Sequence, residues 1–179
     1  MILLLAATLF HVEPTNGTVG FSLMKWGVIR EDGTFRDFSA RIEYDAANVA
    51  KSRVDFDVKT ASLDTKNSNR DSTVKSEEFL DVEKYPLMTF RSVRVAPRAK
   101  NVADVTGDLT IHGVTKRVTV PVRLIGTNRS NGRDFAGFET SFVIKRKDFN
   151  VTGGDWVAHA PGILGEDVTI HIVAGGVTK

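Results

Sequence analysis

Apolar and polar residues alternate along most of this chain with a period of two. The stretch "RVDFDVK" places Val54, Phe56 and Val58 on one face and charged residues on the other, and "DVTIHIV" over 167–173 repeats the pattern. Successive side chains of a β-strand point to opposite faces, so each such strand has one dry and one wet side. Parallel strands are buried on both sides, and the alternation therefore predicts an antiparallel sheet.

The alternation and the turn residues between its segments predict eight strands. They are expected at 17–27, 34–45, 52–60, 86–96, 102–112, 116–128, 134–146 and 165–174. Eight one-sided antiparallel strands form a sandwich or a barrel, and an eight-stranded barrel can hold one small ligand. Pro121 falls in mid-strand on the outward face, which predicts an edge or a bulge and imperfect closure near it.

The stretch 67–85 has no strand rhythm and is rich in charge. Asp71 or Ser72 can cap one helical turn, and Ser76 can cap a second. Val74 and Phe79 give the segment an apolar side. The stretch is therefore predicted to be a short helical flap between the third and fourth strands, attached to the barrel.

Composition restricts the function classes. The chain has 179 residues, of which 41% are hydrophobic and 26% charged, as expected for one globular domain. The net charge is only +2, and no Lys/Arg block is present, which argues against nucleic acid as a partner. The absence of cysteine excludes disulfides and Cys-based zinc sites, and the four histidines lack metal-ligand spacing, so no metal is predicted.

The N-terminus begins with an apolar run, Ile2 to Leu9, that is too short to span a bilayer. It resembles the apolar region of a secretory signal peptide, although an ordinary first strand would have the same composition. Residues 1–9 are therefore interpreted as the remnant of a signal, residues 10–179 as a single domain, and the protein as periplasmic or secreted.

Three motifs carry a family resemblance. "SLDTKNSNRDSTVKSEEFLDVEKYPLMTFRS" (62–92), "GDLTIHGVTKRVTVPV" (107–122) and "RKDFNV" (146–151) resemble, in this order, the signatures of the YceI-like proteins. The resemblance covers about residues 10 to 174. Three positions depart from it: Thr73 stands where the family commonly has His, Leu80 of the pair Phe79-Leu80 where it often has a second aromatic residue, and Asn150 where it commonly has Gly.

The resemblance implies an all-β fold, an eight-stranded antiparallel lipocalin-like barrel in the periplasm. It implies lipid binding, with a long-chain polyisoprenoid, an isoprenoid quinone or a fatty amphiphile as the ligand and partner. Transport or storage of that lipid would be the role. No catalytic cofactor and no stable membrane span are expected.

Inward-facing positions supply the candidates for an apolar tunnel: Phe21, Leu23, Phe56, Val58, Phe90, Leu109, Ile111, Val120, Phe138, Phe142 and Ile170. The candidates for a mouth or flap are Trp26, Arg70, Asp71, Val74, Phe79 and Tyr85. The apolar set could instead be a filled core. Arg70 and Asp71 could be a structural pair that ties the flap to the barrel, and Trp26 could cover a rim or plug the barrel.

Two other functions remain open from the sequence. A structural or stress-response interaction module would have a solid core without a cavity. A lipid-modifying enzyme would need a nucleophile with a base or paired acids in one site, and no Gly-x-Ser-x-Gly or His-Glu-x-x-His motif is present. The protein is therefore predicted not to be an enzyme. A homodimer is compatible with every alternative.

Overall fold

The structure is a computed structural model that describes residues 7–160 and 162–179. Its strands are β1 Thr8–Lys25, β2 Ile29–Phe35, β3 Phe38–Tyr44, β4 Arg53–Lys59, β5 Leu63–Asp64, β6 Leu87–Ala99, β7 Val102–Ile111, β8 Val114–Ser130, β9 Arg133–Lys145 and β10 Leu164–Val177. The helices are α1 Ser68–Lys75 and α2 Gly154–Ala158, with 3₁₀ turns at Val49–Lys51, Thr60–Ser62 and Arg146–Phe149.

The strands close into an eight-stranded antiparallel barrel. The order β10-β9-β8-β7-β6-β4-β3-β1 returns to its start because β1 also pairs with β10. Strand β1 pairs with β3 along 8–12 and with β2 along 19–25, so β2 and β3 act as one broken barrel strand. The short strand β5 continues β4 in the same way and pairs with β2. The predicted closed barrel is confirmed.

The first strand begins earlier than predicted. Thr8 and Leu9 pair with Tyr44 and Glu43, so β1 starts at residue 8 and not at 17. The alternation was hidden because the apolar run continues directly into it. Residues 1–6 lie outside the described residues, so the signal remnant over 1–9 stays a prediction, and its last two residues belong to the barrel.

The position of the helical segment is partly wrong. Helix α1 follows β5 and precedes β6, and it does not directly join the predicted third and fourth strands. After β4 the chain makes the 3₁₀ turn at Thr60–Ser62 and adds Leu63–Asp64 to the edge of β2 before it enters the helix. Such a two-residue strand has no periodicity that could be read from the sequence.

Helix α1 is capped by Asn67, not by Asp71 or Ser72. The Asn67 side-chain oxygen accepts a hydrogen bond from the Arg70 amide at 3.1 Å. An asparagine at this position satisfies one of the free amides of the first turn. The Asp71 carboxylate does not cap the helix, because it accepts hydrogen bonds from the amide and the hydroxyl of Thr65.

The irregularity predicted at Pro121 is present. Strands β8 and β9 pair from Ser130 and Arg133, next to their hairpin turn, up to Val122 and Thr140. The ladder therefore stops at the residue adjacent to Pro121. Proline has no amide hydrogen to give to a neighbouring strand. The Pro121 carbonyl instead accepts from the Thr140 hydroxyl at 2.6 Å, so a side chain ends the ladder.

The two ends of the barrel are built differently. The end that we call the helical end carries the turns 26–28 and 112–113 and the long segments 60–86 and 146–163. The end that we call the opposite end carries the segment 45–52 and the hairpin turns 100–101 and 131–132. Packed aromatic rings fill part of the interior nearer the opposite end, where Phe138 contacts both Phe10 and Tyr44 at centroid distances of 6.3 and 6.0 Å.

Candidate functional site

The barrel encloses a cavity of about 1140 Å³. At the helical end the exposed residues Asn69, Thr73 and Trp156 line it, and at the opposite end Pro97 and Asn101 do so. A single space therefore reaches solvent-accessible residues at both ends of the barrel. We call it the tunnel.

All eleven residues that were selected as tunnel candidates lie on its wall: Phe21, Leu23, Phe56, Val58, Phe90, Leu109, Ile111, Val120, Phe138, Phe142 and Ile170. Further inward positions, Ile42, Val122 and Ile172 among them, line it as well. Several of these side chains are only half-buried although they point into the barrel. The interior is therefore not a solid core over its whole length.

Arg70 lines the tunnel and joins helix α1 to the barrel. Its Nε donates to the Thr65 hydroxyl at 2.9 Å, its Nη2 donates to the Thr65 carbonyl at 2.9 Å, and its Nη1 forms an ion pair with Glu31 on β2. The Thr65 hydroxyl in turn donates to Asp71 at 2.6 Å. Arg70 and Asp71 therefore form a structural pair, joined through Thr65, that ties the helical segment to the barrel. Asp71 itself is not on the tunnel wall.

The segment that follows α1 packs against helix α2. Phe79 is buried, with 5% of its surface exposed, and its ring lies 6.0 Å from the Trp156 ring. The Trp156 indole donates to the Glu78 carboxylate at 3.2 Å, and the Gly153 amide donates to the Glu78 carbonyl at 3.0 Å. Phe79 and Val74 lie on the wall, so this packed segment frames the helical-end mouth.

Gly153 permits that close packing. Its backbone is left-handed, with φ of 89°. A side-chain carbon there would lie 2.6 Å from Val157, too close for a real contact, and 3.0 Å from Phe79, closer than most real contacts. Glycine is the residue that meets both requirements, since it tolerates this conformation and has no side chain.

Two other predicted mouth residues lie outside the tunnel wall. Tyr85 packs its ring edge-on against His112 at 4.6 Å and so covers the turn between β7 and β8. Trp26 lies at the tip of the β1–β2 hairpin, with 54% of its surface exposed. It therefore does not plug the barrel.

Arg146 is a wall residue that sequence reasoning missed. It is 5% exposed, and it donates to the carbonyls of Gly165, Val151, Thr152 and Leu164 at 2.9, 2.8, 2.7 and 3.2 Å. Burial lowers the pKa of the guanidinium, although the nearby charge of Glu166 acts in the other direction. Its place at the head of the motif "RKDFNV" was the available signal.

The departure from the family pattern at Asn150 has a backbone explanation. Asn150 ends the 3₁₀ turn at Arg146–Phe149 with φ of 57°. Glycine and asparagine are the residues that most readily adopt this left-handed conformation, so Asn suits a position where the family pattern commonly has Gly. Of the other departures, Thr73 is exposed on the helical-end wall and Leu80 is buried on it.

Polar groups on the wall are concentrated at the helical end. Lys25, Glu31, Asn69, Arg70 and Thr73 lie there, whereas the middle of the tunnel is mostly aliphatic and aromatic. Within residues 7–160 and 162–179, no group of three or more His, Asp or Glu side chains could hold a metal ion. In the same part of the chain, no helix has the length and apolar character needed to cross a bilayer.

Comparison with known proteins gives consistent matches. The model of the YceI-like domain matches residues 10–175. A UPF0312 protein of Pseudomonas putida (strain W619) is 38% identical over 168 residues, which are 93% of this chain and 84% of that protein.

Solved structures resemble the barrel. BcnA of Burkholderia cenocepacia superposes with a TM-score of 0.81 at 29% identity, over 94% of this chain and 99% of that one. A polyisoprenoid-binding domain of Saccharophagus degradans, implicated in plant cell wall breakdown, has a TM-score of 0.71 at 14% identity over 97% and 99% of the two chains. At that identity the second likeness concerns the fold alone.

Proposed function

Because the chain belongs to the YceI-like family and encloses a long apolar tunnel, we propose that it binds one long-chain polyisoprenoid, isoprenoid quinone or similar amphiphilic lipid. The observation that carries this proposal is the tunnel of about 1140 Å³. Its volume exceeds the roughly 300–1,000 Å³ of ordinary small-molecule pockets. A domain of the same fold, from Saccharophagus degradans, is a polyisoprenoid-binding domain, so a barrel of this fold can hold a ligand of that class.

The energetics favour a long tail. Each methylene removed from water contributes about 0.8 kcal/mol, so a five-carbon unit contributes about 4 kcal/mol before costs. Association costs roughly 4–15 kcal/mol in lost freedom of motion. Several such units are therefore needed for tight binding, and a tunnel that runs the length of the barrel provides room for them.

The distribution of polar groups gives an orientation. We place the head group at the helical end, near Thr73, Asn69 and Asn67, whose side chains line that mouth. The Arg70 guanidinium is engaged by Thr65 and Glu31, so it frames the mouth rather than offering a free charge. The tail then follows the aliphatic wall toward the opposite end, where Val95, Ala103 and Val105 lie.

We propose a binding protein, with transport or storage of the lipid as its role, and not an enzyme. Histidine is missing from the tunnel wall in the part of the chain that the structure describes. The carboxylates of the wall are all engaged by other side chains: Glu31 by Arg70, Asp32 by Arg30, Glu78 by Trp156 and Glu139 by Arg123. A solid-core interaction module is less consistent with a tunnel of this size. A periplasmic or secreted location and a homodimer stay predictions.

The direct experiment is native mass spectrometry of the purified protein, followed by organic extraction of what it releases. We expect an added mass that resolves into an isoprenoid or another long-chain lipid. A protein that is free of ligand, and that after delipidation takes up neither a fluorescent isoprenoid nor a fatty amphiphile, would contradict the proposal.

A matched pair of variants locates the ligand. Ile172 points into the tunnel and Val173, its neighbour on β10, is 44% exposed on the outside. We expect Ile172→Trp to fill the tunnel and reduce lipid uptake at least tenfold, since about 1.4 kcal/mol of lost contact corresponds to that factor. Val173→Trp adds the same side chain outside the barrel and should leave uptake unchanged.

A further inference from the structure

The tip of the β1–β2 hairpin is apolar and exposed. Met24, Trp26, Val28 and Ile29 have exposed fractions of 40%, 54%, 79% and 44%. Single exposed apolar residues are ordinary, but four within six consecutive positions form a continuous apolar tip. We call residues 24–29 the hairpin tip.

The tip holds a large aromatic residue in an unfavourable backbone conformation. Trp26 and Gly27 have φ of 51° and 70°, and the Val28 amide donates to the Lys25 carbonyl at 3.2 Å, which closes a tight turn. Such turns favour Asn, Asp or Gly at the first central position, and a bulky side chain there is strained. Strained residues often serve a function rather than stability. Because Trp26 lies at an exposed tip, its side chain is available to contact another molecule.

The hairpin tip is continuous with the helical-end mouth of the tunnel. Leu23, Lys25 and Glu31 of the same hairpin line the tunnel. The Trp26 amide donates to the Ile163 carbonyl at 3.1 Å, which ties the tip to the segment that follows α2. A surface that binds the hairpin tip therefore lies next to the helical-end mouth of the tunnel.

The charges at the tip suit an anionic surface. Lys25 lies between Met24 and Trp26, with its ammonium 4.4 Å from the centre of the Trp26 ring, and Arg30 directly follows the tip. Tryptophan with adjacent cations is the composition that proteins place at the boundary between lipid head groups and acyl chains. The acidic residues that follow the tip in the chain, Glu31 and Asp32, form ion pairs with Arg70 and Arg30, so Lys25 is the cation that the tip itself presents.

We propose that the hairpin tip inserts into the surface of a phospholipid bilayer that contains anionic lipid, and thereby places the helical-end mouth against the membrane. A long-chain lipid could then pass between bilayer and tunnel without crossing water. The purpose of the docking rests on the proposed function, but the docking itself requires no ligand in the tunnel. It can therefore be measured separately.

The test is cosedimentation with vesicles of equal parts phosphatidylglycerol and phosphatidylcholine, free of isoprenoid. We expect the wild-type protein to bind, and Trp26→Asn with Val28→Ser to reduce the partition coefficient roughly hundredfold, about tenfold for each buried side chain. Asparagine suits the left-handed position, so this variant should fold at least as well as the wild type. Val93→Ser with Val143→Ser, at sites 52% and 58% exposed on the barrel sides, is the control and should bind like the wild type.

Two further measurements make the test specific. The chain has two tryptophans, so Trp156→Phe leaves Trp26 as the only one, and its fluorescence should shift to the blue when vesicles are added. The wild-type protein should bind vesicles of pure phosphatidylcholine more weakly than the anionic vesicles. The expected decrease is roughly fivefold for each protein cation that contacts anionic lipid in the latter.

Several outcomes would overturn the proposal: no binding by the wild-type protein, equal binding by the tip variant, equal loss in the control variant, or no fluorescence shift. A tip variant that turns a dimer into a monomer without changing vesicle binding would also overturn it, because the tip would then be a protein interface. If the tip variant still takes up lipid in solution but no longer binds vesicles, the docking proposal is supported independently of the proposed function. Loss of uptake with vesicle binding intact would instead contradict only the proposed function.

Discussion

The two ends of the barrel differ in how they are closed. At the helical end, Phe79, Leu80, Phe149 and Val157 are buried by segments that leave the strands and fold over the barrel. At the opposite end, strands are joined by tight turns at 100–101 and 131–132, and the exposed residues Ala46, Pro97, Ala99 and Asn101 line the tunnel.

The comparison separates two physical problems. Hydrogen bonding between neighbouring strands closes the sides of a barrel without help from other segments. It cannot close an end, where side chains from outside the strands must cover the interior. The helical end therefore carries both the contacts that stabilise the cover and the polar groups that suit a head group.

Among substitutions that test how the helical end is covered, Arg146→Ala is expected to change the free energy of unfolding most. Two carbonyls of the segment 146–163 and two at the start of β10 would lose their buried donor. The free energy of unfolding should fall by about 4 kcal/mol, since each unsatisfied buried group costs roughly 1–3 kcal/mol. Urea unfolding measures this. Arg123→Ala is the control: its side chain is 51% exposed and pairs with Glu139, so its loss should cost less than about 1 kcal/mol. Equal losses would show that Arg146 does not hold the cover.

A smaller effect is expected from Gly153→Ala. The new methyl group would meet Val157 and Phe79, in addition to the strain of a left-handed alanine, so we expect a loss of about 3 kcal/mol in thermal or urea unfolding. Gly132→Ala at the opposite end has φ of 78° and nothing within 4 Å, so only the backbone strain of about 1 kcal/mol remains. Similar losses at both positions would contradict close packing at the helical end.

A more local effect is expected from Arg70→Met. The variant keeps the apolar stem but removes the bonds to Thr65 and Glu31, so the stability of α1 should fall by about 1–2 kcal/mol. Hydrogen exchange of the α1 amides should become faster while exchange in β7 and β8 stays the same. Arg117→Met removes a more exposed pair with Asp108 on the barrel wall, and it should leave α1 exchange unchanged.

The smallest effect is a pH dependence. The Lys66 amide holds the pKa of Asp64 below its usual value of 3.8, with a further contribution from Arg36. A carboxyl with a lowered pKa in the folded state contributes stability above 3.8, and this contribution is lost as the pH falls through the folded value. Asp64→Asn should therefore show a flatter loss of stability below about pH 4 in acid titrations followed by circular dichroism. An acid transition that is as steep as in the wild type would contradict this role.

How much the sequence determined is clearest from the tunnel wall. Every one of the eleven tunnel candidates lies on that wall, because the direction of a side chain in a strand depends only on whether its position is odd or even. Whether these residues bind a ligand is a separate question that the placement does not answer. The period of two also gave the number of barrel strands, although it missed the beginning of β1 at Thr8 and most of β2, Ile29–Phe35.

The tertiary structure alone decided how the helical end is covered. Glu78 and Trp156 are 78 residues apart in the chain, and nothing local to either of them indicates the contact between their side chains. Arg146 likewise looks like one of many basic residues until the chain folds and four carbonyls surround it. Periodicity is a local property of each strand, whereas a cover depends on contacts between distant segments, and those exist only once the barrel has closed.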